Sequence, residues 1–298
     1  MKKALFMTPT VTAFTAEGDL DKAANCAVFE HLIEGKMDAL VVMGSTGEFF
    51  SLTAEQKREL SHLAVKEARG RAEVIIGTGS MRPQDTVLLS NDALAFGADA
   101  VMIISPYYFA LSDTALENFY DQTIPYIKGD VYLYNFPART THDLSPKIVL
   151  SLLRKYKNIV GYKDTVMETA HTRKIIQTVS EEFPNFKVLS GFDDHFFHNM
   201  ASGGAGCIGG LSNIYPAFFS GWAAAVNEGN MEKAAYMQRK ADKLCELYDV
   251  GTPFVPVVKK AMMMKGISIK EHSATPLLPP NEEQEAWISR ILSDFEKM

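Results

Sequence analysis

Eight short apolar runs alternate with amphipathic segments, and this alternation limits the possible folds more than any other feature of the chain. In order the runs are ALFMTPTVTAF, DALVVMG, EVIIGTG, AVMIISP, VYLYNFP, NIVGYKD, KVLSGFD and GAGCIGGLSN. Most are too continuously apolar for one-sided antiparallel strands and read as parallel strands covered on both faces. The segments between them carry helical periodicity. Thr53-Ala54-Glu55-Gln56 is a capping-box start for a helix through Ala68. Ser145-Pro146 opens another, with proline in the first turn. Eight β/α units in about 225 residues predict a (β/α)8 TIM barrel, set here as a catalytic domain over 1–227. An open doubly wound sheet seldom needs eight such regular units. After Asn227 the strand-like runs stop. Residues 231–248, 253–265 and 282–297 read as a three-helix C-terminal extension over 228–298, with PLLPP (276–280) as a linker.

Composition excludes several function classes. The chain is 47% hydrophobic and 22% charged, which suits a soluble globular protein with an ample core. A net charge of −6 without a long basic run argues against nucleic acid and anionic membrane as partners. No run of about eighteen apolar residues predicts a transmembrane helix. The start, MKKALFMTPTVTAF, lacks a signal-peptide core and cleavage site. Cys26, Cys207 and Cys245 are scattered and odd in number, which predicts reduced thiols and a cytoplasmic location.

Barrel active sites lie at the C-terminal ends of the strands, so those ends are where chemistry is expected. Strand 2 runs into GSTGEFF, where Ser45, Thr46 and Gly47 bring backbone N–H groups together in a way that suits a carboxylate or phosphate. An ordinary capped glycine turn reads the same way. Strand 4 ends in SPYY, placing Tyr107 and Tyr108 at the rim, and strand 5 in YNFPART, with Tyr134 and Arg139. Strand 6 ends on Lys163. Either that lysine reaches water, or the site wants a neutral amine that can attack a carbonyl. Tyr134 on the neighbouring strand favours the second reading, because a phenol beside an amine can shuttle the protons of carbinolamine chemistry. His195 and His198, three apart, lack a convincing third metal ligand and read as helix surface. Met262, Met263 and Met264 read as packing filler, and Lys259 and Lys260 as a solvated helix face.

Taken together, GSTGE, PYY, YNxP and the GYKDT lysine, in this order at these strand ends, resemble the N-acetylneuraminate lyase and dihydrodipicolinate synthase superfamily of pyruvate-dependent class I aldolases. The resemblance spans nearly the whole chain, from TPTVTAF to the C-terminal helices. It implies that Lys163 forms a Schiff base with pyruvate and that Tyr134 transfers protons. Ser45 would join a hydroxyl relay completed by Tyr108 of a neighbouring subunit, while Thr46 and the N–H groups around Gly47 hold the carboxylate. It further implies a homotetramer, a dimer of dimers, and a reaction that needs no metal or other cofactor.

The family's branches are signalled unequally. Arg139 resembles the synthase arginine that binds a distal carboxylate, although a rim arginine paired with Asp143 or Glu48 reads equally well. GFDDHFF resembles the acidic loop of sugar-acid lyases, in which Gly191 offers a carbonyl and Asp193 and Asp194 accept substrate hydroxyls. KDT, with Thr165 as a substrate contact, and TPFVPVVKKAM look most like 2-keto-3-deoxygluconate aldolases. Phe109 stands where the synthases have asparagine, and Ala54 and Lys57 stand where lysine-inhibited synthases have histidines, so no lysine feedback is expected. The expected function is cleavage or formation of a 2-keto-3-deoxy sugar acid from pyruvate and an aldehyde. Alternatives are condensation of pyruvate with aspartate semialdehyde by a dihydrodipicolinate synthase, N-acetylneuraminate cleavage, a phosphate- or flavin-binding barrel around SGGAGCIGG, or a catalytically silent sensor.

Overall fold

In the computed structural model, which describes residues 2–298, eight parallel strands close into a barrel in sequence order. They are β1 (Leu5–Pro9), β2 (Ala39–Val42), β3 (Glu73–Gly77), β4 (Ala100–Ile104), β5 (Asp130–Asn135), β6 (Ile159–Asp164), β7 (Lys187–Ser190) and β8 (Gly206–Ile208). Seven fall within their apolar runs and β5 begins one residue before its run, at Asp130, and the helices between them complete the (β/α)8 architecture. The strands are shorter than the runs because the last residues of several runs leave the ladder and form the loops that carry the chemistry.

The chain forms two compact units. One comprises Val74–Ile208 with the N-terminal residues through Leu5. Its central pairing sets Tyr134 opposite Lys163 and Asn135 opposite Asp164. On the other edge of β6, Lys163 lies opposite Leu189 and Asp164 opposite Ser190. The β5–β6 register shifts between Val131 and Tyr132. Gly161 matches this irregularity, since a Cβ there would fall 2.2 Å from Cε1 of the Tyr132 ring. The helix expected at Ser145-Pro146 spans Pro146–Lys155, with the Ser145 side chain accepting from the Ile148 N–H.

The other unit comprises Phe6–Glu73 and Gly209–Met298. The predicted capping box is present on the helix Ala54–Ala68, with Thr53 and Gln56 in reciprocal bonds. A second caps Glu282–Lys297 through Asn281 and Gln284. The helix expected over 231–248 differs: it runs Met231–Cys245 and is followed by a separate turn, Leu247–Val250. Leu244, Leu247 and Val250 are all buried, and this spacing by threes is tighter than the α-helical period, so the chain must readjust after Cys245. The next helix runs Val255–Met264.

Lys259 and Lys260 on that helix correct the sequence reading. Lys259 is wholly buried; its Nζ lies 2.5 Å from Glu48 Oε1 and donates to the His272 carbonyl at 2.8 Å. Lys260 is largely covered and pairs with Glu271 and Glu285. A Lys-Lys pair looks like a solvated face only when its carboxylate partners are unseen, and here they lie outside the helix, from Glu271 eleven residues on to Glu48 more than two hundred residues back.

Candidate active site

The site is assembled from strand ends. The Lys163 side chain is 4% exposed, and its Nζ lies 4.5 Å from the centroid of the Tyr134 ring. Their pairing on adjacent strands puts both on one face of the sheet, since side chains alternate along a strand and paired residues point the same way. Tyr134 is itself 2% exposed. A lysine this deeply buried is unusual, and here its amine lies against the face of a phenol.

Behind this pair the next residues along both strands, Asn135 and Asp164, point to the opposite face. Asn135 Nδ2 donates to Asp143 Oδ1 at 2.8 Å and to Asp164 Oδ1 at 3.0 Å. His171 places Nδ1 2.8 Å from Asp164 Oδ2 and Nε2 3.0 Å from Asp143 Oδ2. Thr172 also donates to Asp164, at 2.6 Å. Burial alone would lower the His171 pKa, but hydrogen bonds and charge from Asp143 and Asp164 outweigh it and raise the group to about 10. Burial pulls the Asp143 carboxyl up; His171 and Asn135 pull harder, and it ends below its usual range.

Beyond β6 the backbone holds the exits of three strands together. The Thr165 N–H donates to the Asn135 carbonyl at 2.9 Å, and the Gly191 N–H to the Asp164 carbonyl at 2.7 Å. Thr165 packs so closely that a Cβ on Gly191 would fall 1.9 Å from its Oγ1. That Oγ1 is buried and has no hydrogen-bond partner among the described residues. Asp193 is fully buried while Asp194 is partly exposed. The Cys207 thiol on β8 is pushed up by its own burial and then by Asp193, with Asp194 acting in the same sense and Lys163 opposing.

At the rim, Tyr108 is 79% exposed, adopts φ +85°, and meets Phe109 edge-on at 4.8 Å. Tyr107 is partly covered, and its N–H donates to Met81 Sδ. Arg139 is exposed, with its guanidinium 5.6 Å from the Phe136 ring centroid. The alternative pairing of Arg139 with Asp143 or Glu48 is not formed: Asp143 bonds Asn135 and His171, and Glu48 bonds Lys259 and the Ala274 N–H. His198 is exposed as expected, whereas His195 is half-buried against Phe192.

In the other unit, the loop after β2 presents Ser45, partly exposed, and Thr46, 4% exposed. Gly47 suits that place, because a Cβ would lie tightly at 3.0 Å from the Thr10 carbonyl and 3.2 Å from Met43 Cα. Thr12 Oγ1 donates to the Gly47 carbonyl at 2.7 Å. Met43 and Glu48 flank the loop at φ +60° and +54°, conformations that non-glycine residues seldom take. Glu48 is held there by both carboxylate oxygens: Oε1 faces Lys259, and Oε2 accepts from Ala274 at 2.7 Å.

Sequence reasoning missed two groups of residues: Asn135–Asp143–Asp164–His171, and Glu48–Lys259. Asn135, Asp164, Glu48 and Lys259 each lie in a quoted motif, but neither group is legible as a group, because its partners are dispersed along the chain. The polar residues Asn135 and Asp164, each next to a predicted site residue inside an apolar run, were the only signal for the first. Among the described residues, no cluster of three or more His, Cys, Asp or Glu is arranged to hold a metal ion, and no helix is long and apolar enough to cross a membrane.

Comparison with known proteins places the chain in a family. Residues 2–295 match the Dihydrodipicolinate synthetase family. An Escherichia coli K12 protein named "Putative 2-dehydro-3-deoxy-D-gluconate aldolase YagE" is 36% identical over 297 residues, covering 99% of this chain and 98% of its own. A 4-hydroxy-tetrahydrodipicolinate synthase from Kosmotoga olearia is 34% identical over 262 residues, 88% of each chain. The crystal structure of YagE in complex with pyruvate superposes with a TM-score of 0.95 at 35% identity, covering 98% of both chains. With the closed eight-stranded barrel and the lysine at the end of β6, these matches show that the chain belongs to the dihydrodipicolinate synthetase family and is an aldolase-type carbon–carbon lyase.

Proposed function

We propose that the chain is a Schiff-base-forming pyruvate aldolase that cleaves or forms a 2-keto-3-deoxy sugar acid. The observation that carries this reading is the buried Lys163 amine against the Tyr134 ring. In this mechanism Lys163 attacks the ketone of pyruvate or of the keto acid. Tyr134 carries protons as the carbinolamine forms and loses water, and Ser45 and the Tyr108 of a second subunit extend the relay. The resulting iminium accepts the electron pair released when the adjacent carbon–carbon bond breaks. Thr46 and the backbone around Gly47 hold the carboxylate. The exposed Tyr108, with φ +85°, suits a residue that completes its environment in an assembly, here a homotetramer. No metal or other cofactor takes part.

The sugar-acid substrate is favoured by the β7 exit. Thr165 Oγ1, buried without a partner, and the partly exposed Asp194 offer hydrogen-bonding capacity that polyhydroxy substrates would use. Arg139 supports the second reading, condensation with aspartate semialdehyde, because no ion pair occupies its exposed guanidinium among the described residues. A panel assay distinguishes them. Pyruvate release is measured from keto-deoxy sugar acids, and condensation is measured with aspartate semialdehyde, in wild type, Asp194→Ala and Arg139→Ala. On the proposed function the sugar acids are cleaved and Asp194→Ala lowers kcat/KM more than Arg139→Ala. Condensation with aspartate semialdehyde and no sugar-acid cleavage would reverse the assignment.

A further inference from the structure

Asn135, Asp143, His171 and Asp164 form a closed ring of hydrogen bonds directly behind the lysine–tyrosine pair. Asn135 bridges the two carboxylates through one amide nitrogen, and His171 bridges their other oxygens through its two ring nitrogens. Asn135 Oδ1 is occupied as well, accepting from the Leu144 N–H at 3.0 Å. Carboxylates only accept, so His171 satisfies both of them only by donating from both nitrogens, as the imidazolium. Asp164 is surrounded by donors: Asn135, His171, Thr172 and, at 3.3 Å, the Tyr162 hydroxyl.

The placement of this ring is what gives it a consequence. Asn135 follows Tyr134 and Asp164 follows Lys163, and the two pairs sit opposite one another in the last rungs of β5 and β6. His171 and Thr172 belong to the helix Thr169–Val179, so the ring also ties that helix to the strand exits. Holding Asn135 and Asp164 on the outer face fixes the backbone from which Tyr134 and Lys163 project on the inner face.

We infer that His171, held as a cation between Asp143 and Asp164, is a positioning residue that sets the Lys163–Tyr134 geometry for imine formation. The inference rests on the aldolase reading above and adds to it a residue outside the reacting pair. Besides Asp143 and Asp164, the titratable groups facing the ring are Tyr162, whose hydroxyl donates to Asp164, and, more distantly, His142 and His195. Losing the His171 proton would leave a lone pair facing a carboxylate across about 3 Å, which breaks the ring on one side.

The test compares full-length wild type, His171→Gln and Asp143→Asn, with every rate expressed per folded molecule from a urea or thermal titration. The rate of pyruvate trapping on Lys163 by cyanoborohydride, kcat, KM for pyruvate and the pH profile are measured. His171→Gln should slow trapping and kcat by about 10–100-fold, the scale of a misplaced reacting group, while KM changes by no more than about threefold. Asp143→Asn removes one carboxylate, so the alkaline limb of kcat should move to lower pH by a unit or more, and in His171→Gln that limb should vanish. Folded variants with wild-type trapping, kcat and alkaline limb would overturn the inference, as would losses that disappear once rates are scaled to the folded fraction. Absence of trapping on Lys163 in wild type would instead overturn the aldolase reading, and the inference with it.

Discussion

Gly191 and Thr165 meet where β6 and β7 leave the sheet, and each makes a separate prediction. Gly191→Ala would bring a Cβ to 1.9 Å from Thr165 Oγ1 and 2.8 Å from Thr165 Cβ, against backbone already bonded to Asp164. Such overpacking costs about 1–3 kcal/mol, so a urea titration should show that loss together with a fall in activity. Thr165→Val removes a hydroxyl that is buried without a partner. Stability should therefore hold or rise slightly, while kcat/KM for a keto-deoxy acid falls about 5–150-fold, the effect of about 1–3 kcal/mol from one lost polar partner. A stability loss with unchanged kcat/KM would show that the hydroxyl serves the fold and not the substrate. The pairing of Lys163 with Tyr134 on adjacent strands was legible in the sequence, because a lysine ending an apolar run and a tyrosine at the same place on the preceding one are visible in one dimension. The ring behind them was not. His171 lies seven residues past Asp164 with no motif between, and its second carboxylate, Asp143, lies in a different β/α unit.

The elements themselves were legible through periodicity and caps. Each strand coincides with an apolar run to within one residue, and Thr53 and Ser145 cap the helices they were expected to cap. What failed was the reading of one face of the helix Val255–Met264. Lys259 is enclosed by Glu48, the His272 carbonyl and the Phe14 ring, and burial lowers its pKa against the opposing pull of Glu48. A lysine takes that environment only when a carboxylate awaits it, and Glu48 reaches it from a left-handed backbone at the end of the glycine loop. Lys259→Met would leave the Glu48 carboxylate buried with only the Ala274 N–H, a change that typically costs about 3–5 kcal/mol. Calorimetry should show a lowered Tm. The double variant Lys259→Met with Glu48→Gln should recover part of the loss, because the buried uncompensated charge is gone. No recovery would mean that the lysine acts through packing alone.

For the whole molecule, the eightfold alternation made the barrel readable, whereas the identity of the aldehyde was not, because it depends on a few rim side chains whose exposure only the fold decides. The charge ring also affects global stability with pH. The folded pKa of His171 is about 10, above its ordinary 6.5, so its contribution is fully present below about pH 6.5 and is lost as pH rises through about 10. Asp143 has a depressed folded pKa, so its contribution is present above its ordinary 3.8 and lost as pH falls through the folded value. Urea midpoints should therefore decline between about pH 7 and 10 in wild type, and that decline should be absent in His171→Gln. An equal decline in both proteins would assign the alkaline sensitivity elsewhere.

The most direct test of the central claim is covalent. Pyruvate is reduced onto the protein with borohydride, and the digest is read by mass spectrometry. One reduced pyruvyl adduct per chain is expected, on the peptide that contains Lys163, and none in Lys163→Ala. Labelling at another lysine, or no labelling by pyruvate in a folded protein, would contradict it.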